Sequence, residues 1–296
     1  MDLLERDIGI ENTDDVVRQA LLAWLAQQKL EPMEPSSATH HHMELSAIES
    51  PEIAEATTLY AAAKSLYDSN MFSEGEQQAR RALELRMLAF GAENTDTKAA
   101  KLLLASLLKK QKKLDEAIPL YQQMLAAARQ ATGVEHEETL ACMNNLAVVL
   151  KQNGKLDDAQ ALYEETLHVK RIKLGVHHSS TLTSMSNLAG LLKAQGKYEE
   201  ARVLYEESLQ GHKSALGPEH PYTLTDMWNF ALFLNKVLFT AVYTFPRCVT
   251  LVLQVNEADA AAALLRECYD GWQRILGNDH LNTIMCKKAM VQLGIQ

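Results

Sequence analysis

Residues 143–167 read MNNLAVVLKQNGKLDDAQALYEETL, and this stretch decides the fold because it contains two helices and the break between them. From Thr139 to Gln152, apolar residues recur three and four positions apart, as they do on one face of an α-helix. Asn153-Gly154 interrupts this pattern, and Lys155 to Leu174 resumes it. The sequence therefore predicts a hairpin of helix A and helix B, which Gly175 closes as a left-handed αL cap.

The hairpin recurs with a 42-residue period. A fixed period of this length predicts stacked hairpins, because one hairpin cannot bury its apolar stripe alone. The repeated positions are a glycine after helix B, a threonine at the start of helix A, and an alanine and a tyrosine within helix B: Gly91, Gly133, Gly175 and Gly217; Thr97, Thr139, Thr181 and Thr223; Ala117, Ala159 and Ala201; Tyr121, Tyr163 and Tyr205.

Residues 186–209, SNLAGLLKAQGKYEEARVLYEESL, repeat this motif, and residues 216–224, LGPEHPYTL, follow them. These stretches resemble the 42-residue tetratricopeptide repeats of kinesin light chains and related scaffolds, in which a small residue precedes an aromatic one as Ala159 precedes Tyr163. The small residue is expected to allow close approach of the helices, and the aromatic residue to fill the space between hairpins. The resemblance implies an all-α, right-handed superhelical solenoid of antiparallel helix hairpins. It also implies a non-enzymatic adaptor that binds a partner peptide in a concave groove lined by the A helices.

The repeat array is expected over residues 55–296. Residues 1–30 contain one amphipathic helix, Thr13 to Lys29, and residues 31–54 form a flexible linker rich in Pro, Ser and His. The five repeats are expected at 55–96, 97–138, 139–180, 181–222 and 223–282, followed by a capping helix at 283–296.

The fifth repeat is longer than the others, because the step from Gly217 to Gly277, like that from Thr223 to Thr283, exceeds the repeat period. The surplus is placed at 237–254, since its removal restores the turn between helices A and B. This segment has twelve apolar residues, one charged residue and no helical period. Two origins remain open: an insertion at a loop, or an in-frame retained intron, because Val codons begin with GU and one Gln codon ends in AG.

Composition limits the classes of partner. The net charge of −9 disfavours a nucleic-acid binder, which needs a basic surface. No membrane association is expected either, because Met1 to Asp7 is acidic where a signal peptide is basic, and Val237 to Leu253 is short and interrupted by Pro246. Without CxxC spacing, the cysteines indicate reduced thiols in a cytoplasmic protein: Cys142, Cys248, Cys268 and Cys286.

The face of helix A away from the core stripe is the candidate binding surface. An asparagine column and a lysine column on this face would suit a peptide backbone with acidic side chains. In the alternative interpretation, each Asn ties neighbouring helices together, each Lys is a solvated helix end, and Trp228 is a core residue. The candidate peptide-binding residues are Asn144, Asn145, Lys151, Asn187, Lys193, Trp228, Asn229 and Lys109.

Catalytic and metal chemistry find no support in the sequence, so neither a cofactor nor a metal is expected. One histidine recurs in the loop before each of four A helices: His136, His178, His220 and His280. Successive copies would be about 20 Å apart, so hydrogen bonding within the loop is the predicted role. His40-His41-His42 lies in the linker. Two other functions stay open: self-association through the insertion or the helix at 13–29, and a regulatory part of a larger enzyme.

Overall fold

The computed structural model describes residues 50–244 and 250–295, and among these the side chains of 50–236 and 258–295 except Gln292. The predicted helix at Thr13 to Lys29, the linker up to residue 49 and residues 245–249 lie outside the described residues. The described helices are α1 (Pro51–Asp68), α2 (Phe72–Phe90), α3 (Thr95–Lys110), α4 (Leu114–Thr132), α5 (Glu137–Gln152), α6 (Leu156–Leu174), α7 (Ser179–Ala194), α8 (Tyr198–Leu216), α9 (Pro221–Thr244), α10 (Thr250–Leu276) and α11 (Leu281–Gln292).

The prediction of an all-α fold of antiparallel helix hairpins is confirmed, with odd-numbered helices as A and even-numbered helices as B. Helix α1 starts at Pro51, inside the predicted linker, because Ser50 caps it by accepting the Ile53 N–H. The described residues form two compact units, the N-terminal unit up to Thr166 and the C-terminal unit from Leu167, with the boundary inside α6. None of the described helices is long and apolar enough to cross a membrane.

Small residues bring helix B close to helix A. A Cβ at Gly75 in α2 would lie 3.0 Å from Leu107 Cδ2 and 3.4 Å from the Ala63 carbonyl oxygen. Ala117, Ala159 and Ala201 occupy the equivalent position in later repeats and are fully buried. Larger side chains would force the helices apart, which agrees with the role predicted for these alanines.

The aromatic residue four positions later fills the space between hairpins, as predicted. Tyr205 of α8 lies with its ring centroid 5.3 Å from that of Phe233 and 6.1 Å from that of Phe230, both on α9 of the next hairpin. Aromatic contacts at this separation add to the free energy gained from burial alone. Stacking of successive hairpins within the C-terminal unit therefore depends on this position.

The glycine after helix B differs from the prediction. Gly175 was expected to adopt the αL conformation, and its φ of +86° is positive as expected. Its equivalents Gly91, Gly133 and Gly217 have ψ between 166° and 177°, so at these three copies the backbone is extended rather than αL. This extended region at positive φ is open to glycine almost alone, which explains the periodic glycine as well as αL does.

The recurrent histidines are N-caps, which confirms their predicted role in loop hydrogen bonding. In each copy Nδ1 accepts the backbone N–H two residues later at 3.2 Å: His136, His178, His220 and His280. Asn94 caps α3 in the same way, with Oδ1 2.8 Å from the Asp96 nitrogen. A polar acceptor at this position satisfies one of the orphan N–H groups at the start of helix A.

Contacts between helices locate the surplus of the fifth repeat. Ser208 Oγ donates to the Leu182 carbonyl at 2.9 Å, and Cys268 Sγ donates to the Leu224 carbonyl at 3.3 Å. The two contacts are equivalent in the repeat, yet their sequence separations are 26 and 44. The surplus therefore falls between Leu224 and Cys268, an interval that contains the predicted segment 237–254, and the difference between the separations equals the length of that segment.

The described part of that segment is helical although its sequence has no helical period. Helices α9 and α10 have 24 and 27 residues, against 16 and 19 in α7 and α8, so each is eight residues longer. Eight residues extend a helix by about 12 Å. Adding residues to a formed helix costs less free energy than nucleating a new helix. The segment can therefore be helical although its apolar residues show no helical period.

The turn between helices A and B provides a test of backbone strain. Four equivalent residues have positive φ: Asn70 (60°), Lys112 (61°), Gly154 (77°) and Gly196 (77°). We expect Lys112→Gly to raise the free energy of unfolding by about 1 kcal/mol, because the left-handed region disfavours a side chain such as lysine. Gly154→Ala should lower the free energy of unfolding by a similar amount. The cause is backbone strain alone, because no atom lies within 4 Å of the added Cβ and no steric clash contributes. Urea denaturation measures both, and an unchanged or lower stability of Lys112→Gly would contradict the strain.

The cap at His220 provides a test with pH. Burial, and then the neighbouring His212, lower the pKa of His220 from 6.5 to about 4. The fold favours the neutral ring, so its contribution is full above pH 6.5 and is lost as the pH falls towards 4. Tyr222 stacks on this ring at 5.4 Å.

The free energy of unfolding of the wild type should therefore fall more between these pH values than that of His220→Asn, which keeps a cap acceptor without titrating. Parallel urea titrations at several pH values measure the difference. Identical pH profiles for the two proteins would show that the cap at His220 does not titrate with folding.

Candidate functional site

The A-helix face is the set of predicted groove positions on helices A, and each unit carries its own part. In the N-terminal unit, Lys109 lies near the end of α3, and Asn144, Asn145 and Lys151 lie on α5. All four side chains are half-buried. Intermediate burial of this kind is typical of a polar surface rather than of a core.

In the C-terminal unit, Asn187 and Lys193 lie on α7 and Asn229 lies on α9, and these three are also half-buried. Trp228 differs, because only 8% of it is exposed and it belongs to the core cluster with Leu224 and Trp272. The structure thus puts Trp228 among the core residues, which was the alternative interpretation. Trp272, on α10, is 3% exposed and packs in the same cluster.

Hydrogen bonding divides the asparagines into two groups. Among the residues that the structure describes, the amides of Asn145 and Asn229 make no hydrogen bond. Asn144 and Asn187 each interact with another part of the chain. The alternative in which each Asn ties helices together therefore lacks support at Asn145 and Asn229, whose amides keep two donors and an acceptor.

Four lysines stand close together in residues 109–113, just before α4, and two of them contact other side chains of the N-terminal unit. Lys113 Nζ donates to Glu76 Oε2 at 2.7 Å, and Lys110 lies 5.8 Å from the centre of the Tyr67 ring. Burial raises the pKa of Glu76, but hydrogen bonds from Lys113, Arg80 and Gln111 outweigh it and hold the pKa below its ordinary value. This part of the run therefore stabilises the fold.

A buried polar network in the C-terminal unit was missed by the sequence analysis. His212 Nδ1 lies 2.7 Å from Asp226 Oδ2, and Ser208 Oγ lies 2.5 Å from the same oxygen. On the other side, His212 Nε2 lies 3.2 Å from Ser179 Oγ. The network joins α7, α8 and α9, and each member satisfies another inside the core, as buried polar groups must. Its signal in the sequence is Asp226, an acidic residue where Cys142 and Ser184 stand in earlier repeats.

The predicted groove residues do not line the cavity formed by α4 and α5 of the N-terminal unit. This open cavity of about 570 Å³ is lined by Gln122, Leu125, Ala126, Arg129, Gln130 and Leu146, none of them a predicted groove residue. No group of three His, Cys, Asp or Glu residues in the described ranges is placed to hold a metal ion.

These features define a class: a repeat protein of helix hairpins whose A helices carry an open polar face. Models of the tetratricopeptide repeat match residues 96–171, and 181–222 with 251–282, together just over half of the chain. The chain therefore belongs to the tetratricopeptide repeat family. Repeat proteins of this kind use extended surfaces to bind other proteins, which makes the chain an interaction scaffold.

Solved structures share the fold. A protein of Podosopora anserina described as a putative kinesin light chain with nearly identical TPR-like repeats is 20% identical, with a TM-score of 0.57 over 75% of this chain and 98% of its own. BtubC (BKLC) from P. vanneervenii is 18% identical, with a TM-score of 0.54 over 94% and 93%. The apo form of RapI is 13% identical, with a TM-score of 0.50 over 94% of each chain. A search of curated proteins found no match.

The resemblance to kinesin light chain-like repeat proteins is thus confirmed at the level of family and fold. At these identities the structures establish the fold alone. The binding site has to be argued from the residues of this chain.

Proposed function

We propose that the chain is a non-enzymatic scaffold or adaptor that binds an extended peptide of a partner protein on its A-helix face. The observation that carries this proposal is the pair Asn145 and Asn229. Both are half-buried, both occupy the same repeat position, and neither amide is hydrogen-bonded among the described residues. A peptide backbone offers one donor and one acceptor per residue, which an asparagine amide can pair in full.

Lysines near these amides give the site its charge preference. In the N-terminal unit, Lys151 follows Asn145 by six positions on α5, and in the C-terminal unit Lys193 follows Asn187 by six on α7. Six residues advance about 9 Å along the helix and turn the lysine by about 120° from the asparagine, so the ammonium group comes near the amide only through the length of the lysine side chain. An extended peptide with Asp or Glu side chains would pair with these ammonium groups.

Removal of the two amides tests the proposal. A peptide selected from a displayed random library on the wild type should bind the double variant Asn145→Ala, Asn229→Ala about tenfold more weakly. The reason is the loss of the two hydrogen bonds, one donated and one accepted, that the amide in the unit holding the peptide can make, at about 0.5–1.5 kcal/mol each. Fluorescence anisotropy with the labelled peptide measures both dissociation constants.

Gln123→Ala serves as the matched control, because Gln123 also carries an exposed side-chain amide but lies on α4, a helix B outside the A-helix face. It should bind the peptide as the wild type does. Equal affinity of the wild type and the double variant, with equal melting temperatures, would show that the peptide binds elsewhere.

Charge gives a separate test. The affinity for an acidic peptide should fall as salt is raised, whereas an analogue with Asn and Gln in place of Asp and Glu should show little change. The double variant Lys151→Gln, Lys193→Gln should reduce the dependence on salt, and Lys173→Gln on helix B of α6 should not. If the affinity for both peptides fell equally as salt was raised, the site would have no preference for acidic side chains. The proposed contacts with the peptide backbone would not be affected by that result.

A further inference from the structure

Two thiols meet where α11 packs on α10 in the C-terminal unit. The sulfur atoms of Cys268 on α10 and Cys286 on α11 lie 3.5 Å apart, and the two side chains are 0% and 2% exposed within one apolar cluster. Cys268 also donates to the Leu224 carbonyl at 3.3 Å. Because a thiol carries one proton, Cys286 is the donor in the contact between the two sulfur atoms.

The repeat register shows that this contact is a regular position of the array. Cys268 follows Ser208 by the interval of the lengthened fifth repeat, and Cys286 follows Asp226 by the same interval. In the earlier copy Ser208 Oγ lies 2.5 Å from Asp226 Oδ2, and both pairs are separated by 18 positions in the sequence. Helix B and the next helix A thus bring these two side chains into direct contact, and in the last copy both are cysteines.

A disulfide at this contact needs only a small movement. Bonded sulfur atoms lie about 2.05 Å apart, so the two sulfur atoms have to approach each other by about 1.5 Å. Rotation of the two short side chains provides a movement of this size, because each side chain places its sulfur atom one bond beyond Cβ. The bond would join α10 to α11 without displacing either helix from its neighbour.

Burial protects the pair while α11 is packed. Burial, and then the hydrogen bond with Cys286, raise the pKa of Cys268 well above its ordinary value, so this thiol keeps its proton in the folded chain. Oxidants react with thiolates, so the packed pair reacts slowly.

Helix α11 is the element whose opening gives access. It has 12 residues, a length at which a helix is marginal in water without packing, and it packs chiefly on α10. Local opening of such an element costs less free energy than global unfolding. Opening of α11 therefore brings Cys286 into solvent and uncovers Cys268.

We propose that Cys268 and Cys286 form a redox-sensitive pair that hydrogen peroxide converts into a disulfide between α10 and α11. In the first step the Cys286 sulfur attacks one peroxide oxygen, the O–O bond breaks, and the products are a sulfenic acid and water. In the second step the Cys268 sulfur attacks the Cys286 sulfur, and the S–O bond breaks as the S–S bond forms. The hydroxyl leaves with the Cys268 proton as a second water, so the two thiols lose two electrons and the peroxide gains them.

The disulfide fastens α11 to the rest of the C-terminal unit, so that its packing no longer depends on non-covalent contacts alone. None of the predicted groove residues lies on α11. The proposal is therefore independent of peptide binding on the A-helix face.

The test treats the reduced full chain with hydrogen peroxide, blocks the remaining thiols with iodoacetamide and digests the product with trypsin. Mass spectrometry should find the peptides 267–274 and 275–287 joined by a bond that dithiothreitol breaks. Cys286→Ala should abolish this product. Cys142→Ala serves as the control, because it removes a buried thiol of α5 in the N-terminal unit, and it should leave the yield unchanged.

The melting temperature provides a second readout. The peroxide-treated wild type should melt about 5–10 °C higher before reduction with dithiothreitol than after it, because the crosslink restricts the unfolded chain. Cys286→Ala should melt at the same temperature before and after reduction, and any destabilisation by the substitution itself cancels in this comparison.

Two results would overturn the proposal. One is a disulfide that joins Cys268 or Cys286 to any other cysteine of this chain or of a second copy. The other is recovery of both thiols in alkylated form after a treatment that oxidises free glutathione completely.

Discussion

The close contact between helix B and helix A, made by pairs of small residues, is the constraint on which the rest of the structure depends. The alanines of helix A at this contact and the glycine or alanine of helix B are fully buried, as at Ala63 with Gly75 and at Ala147 with Ala159. Close packing at this point fixes the distance between the two helices. It also fixes which side of helix A is covered, and therefore which side remains open as the A-helix face.

The proposed binding surface follows from this constraint. Because the apolar stripe of each A helix is used in packing, the opposite side is free to carry Asn145, Asn229 and the lysines. Repetition then places like residues at like positions, as with Lys109 and Lys151 in the N-terminal unit and Asn187 and Asn229 in the C-terminal unit. An extended peptide is the ligand that fits such a surface, because its own groups also repeat along its length.

The repeat made most of the fold predictable. The 42-residue period predicted the hairpins, and the Ala and Tyr columns predicted their packing, because each depends on residue size at a fixed spacing. Backbone detail was less accessible: a periodic glycine indicates positive φ, but the sequence does not distinguish αL from the extended region found at Gly91 and Gly217. The helical extension of α9 to Thr244 was missed because a helix that has already formed can continue through residues that lack a helical apolar period.

The site was predicted less completely. The positions of Asn145 and Lys151 on an exposed face followed from helix geometry, whereas the burial of Trp228 depends on α10 and could not be read from α9 alone. The network of His212 and Asp226 joins residues on different helices, and its partners share no short motif. The sequence predicted features that recur in every repeat. It did not predict those present in a single repeat, such as the burial of Trp228 and the contact between His212 and Asp226.

The most direct measurement of the central claim is nuclear magnetic resonance of the side-chain amides in the chain labelled with ¹⁵N-asparagine, recorded with and without a bound acidic peptide. The account predicts that the Asn145 and Asn229 amide signals shift on binding while those of Asn278, in the loop before α11, stay in place. Shifts confined to Asn278, or to no asparagine at all, would contradict recognition on the A-helix face.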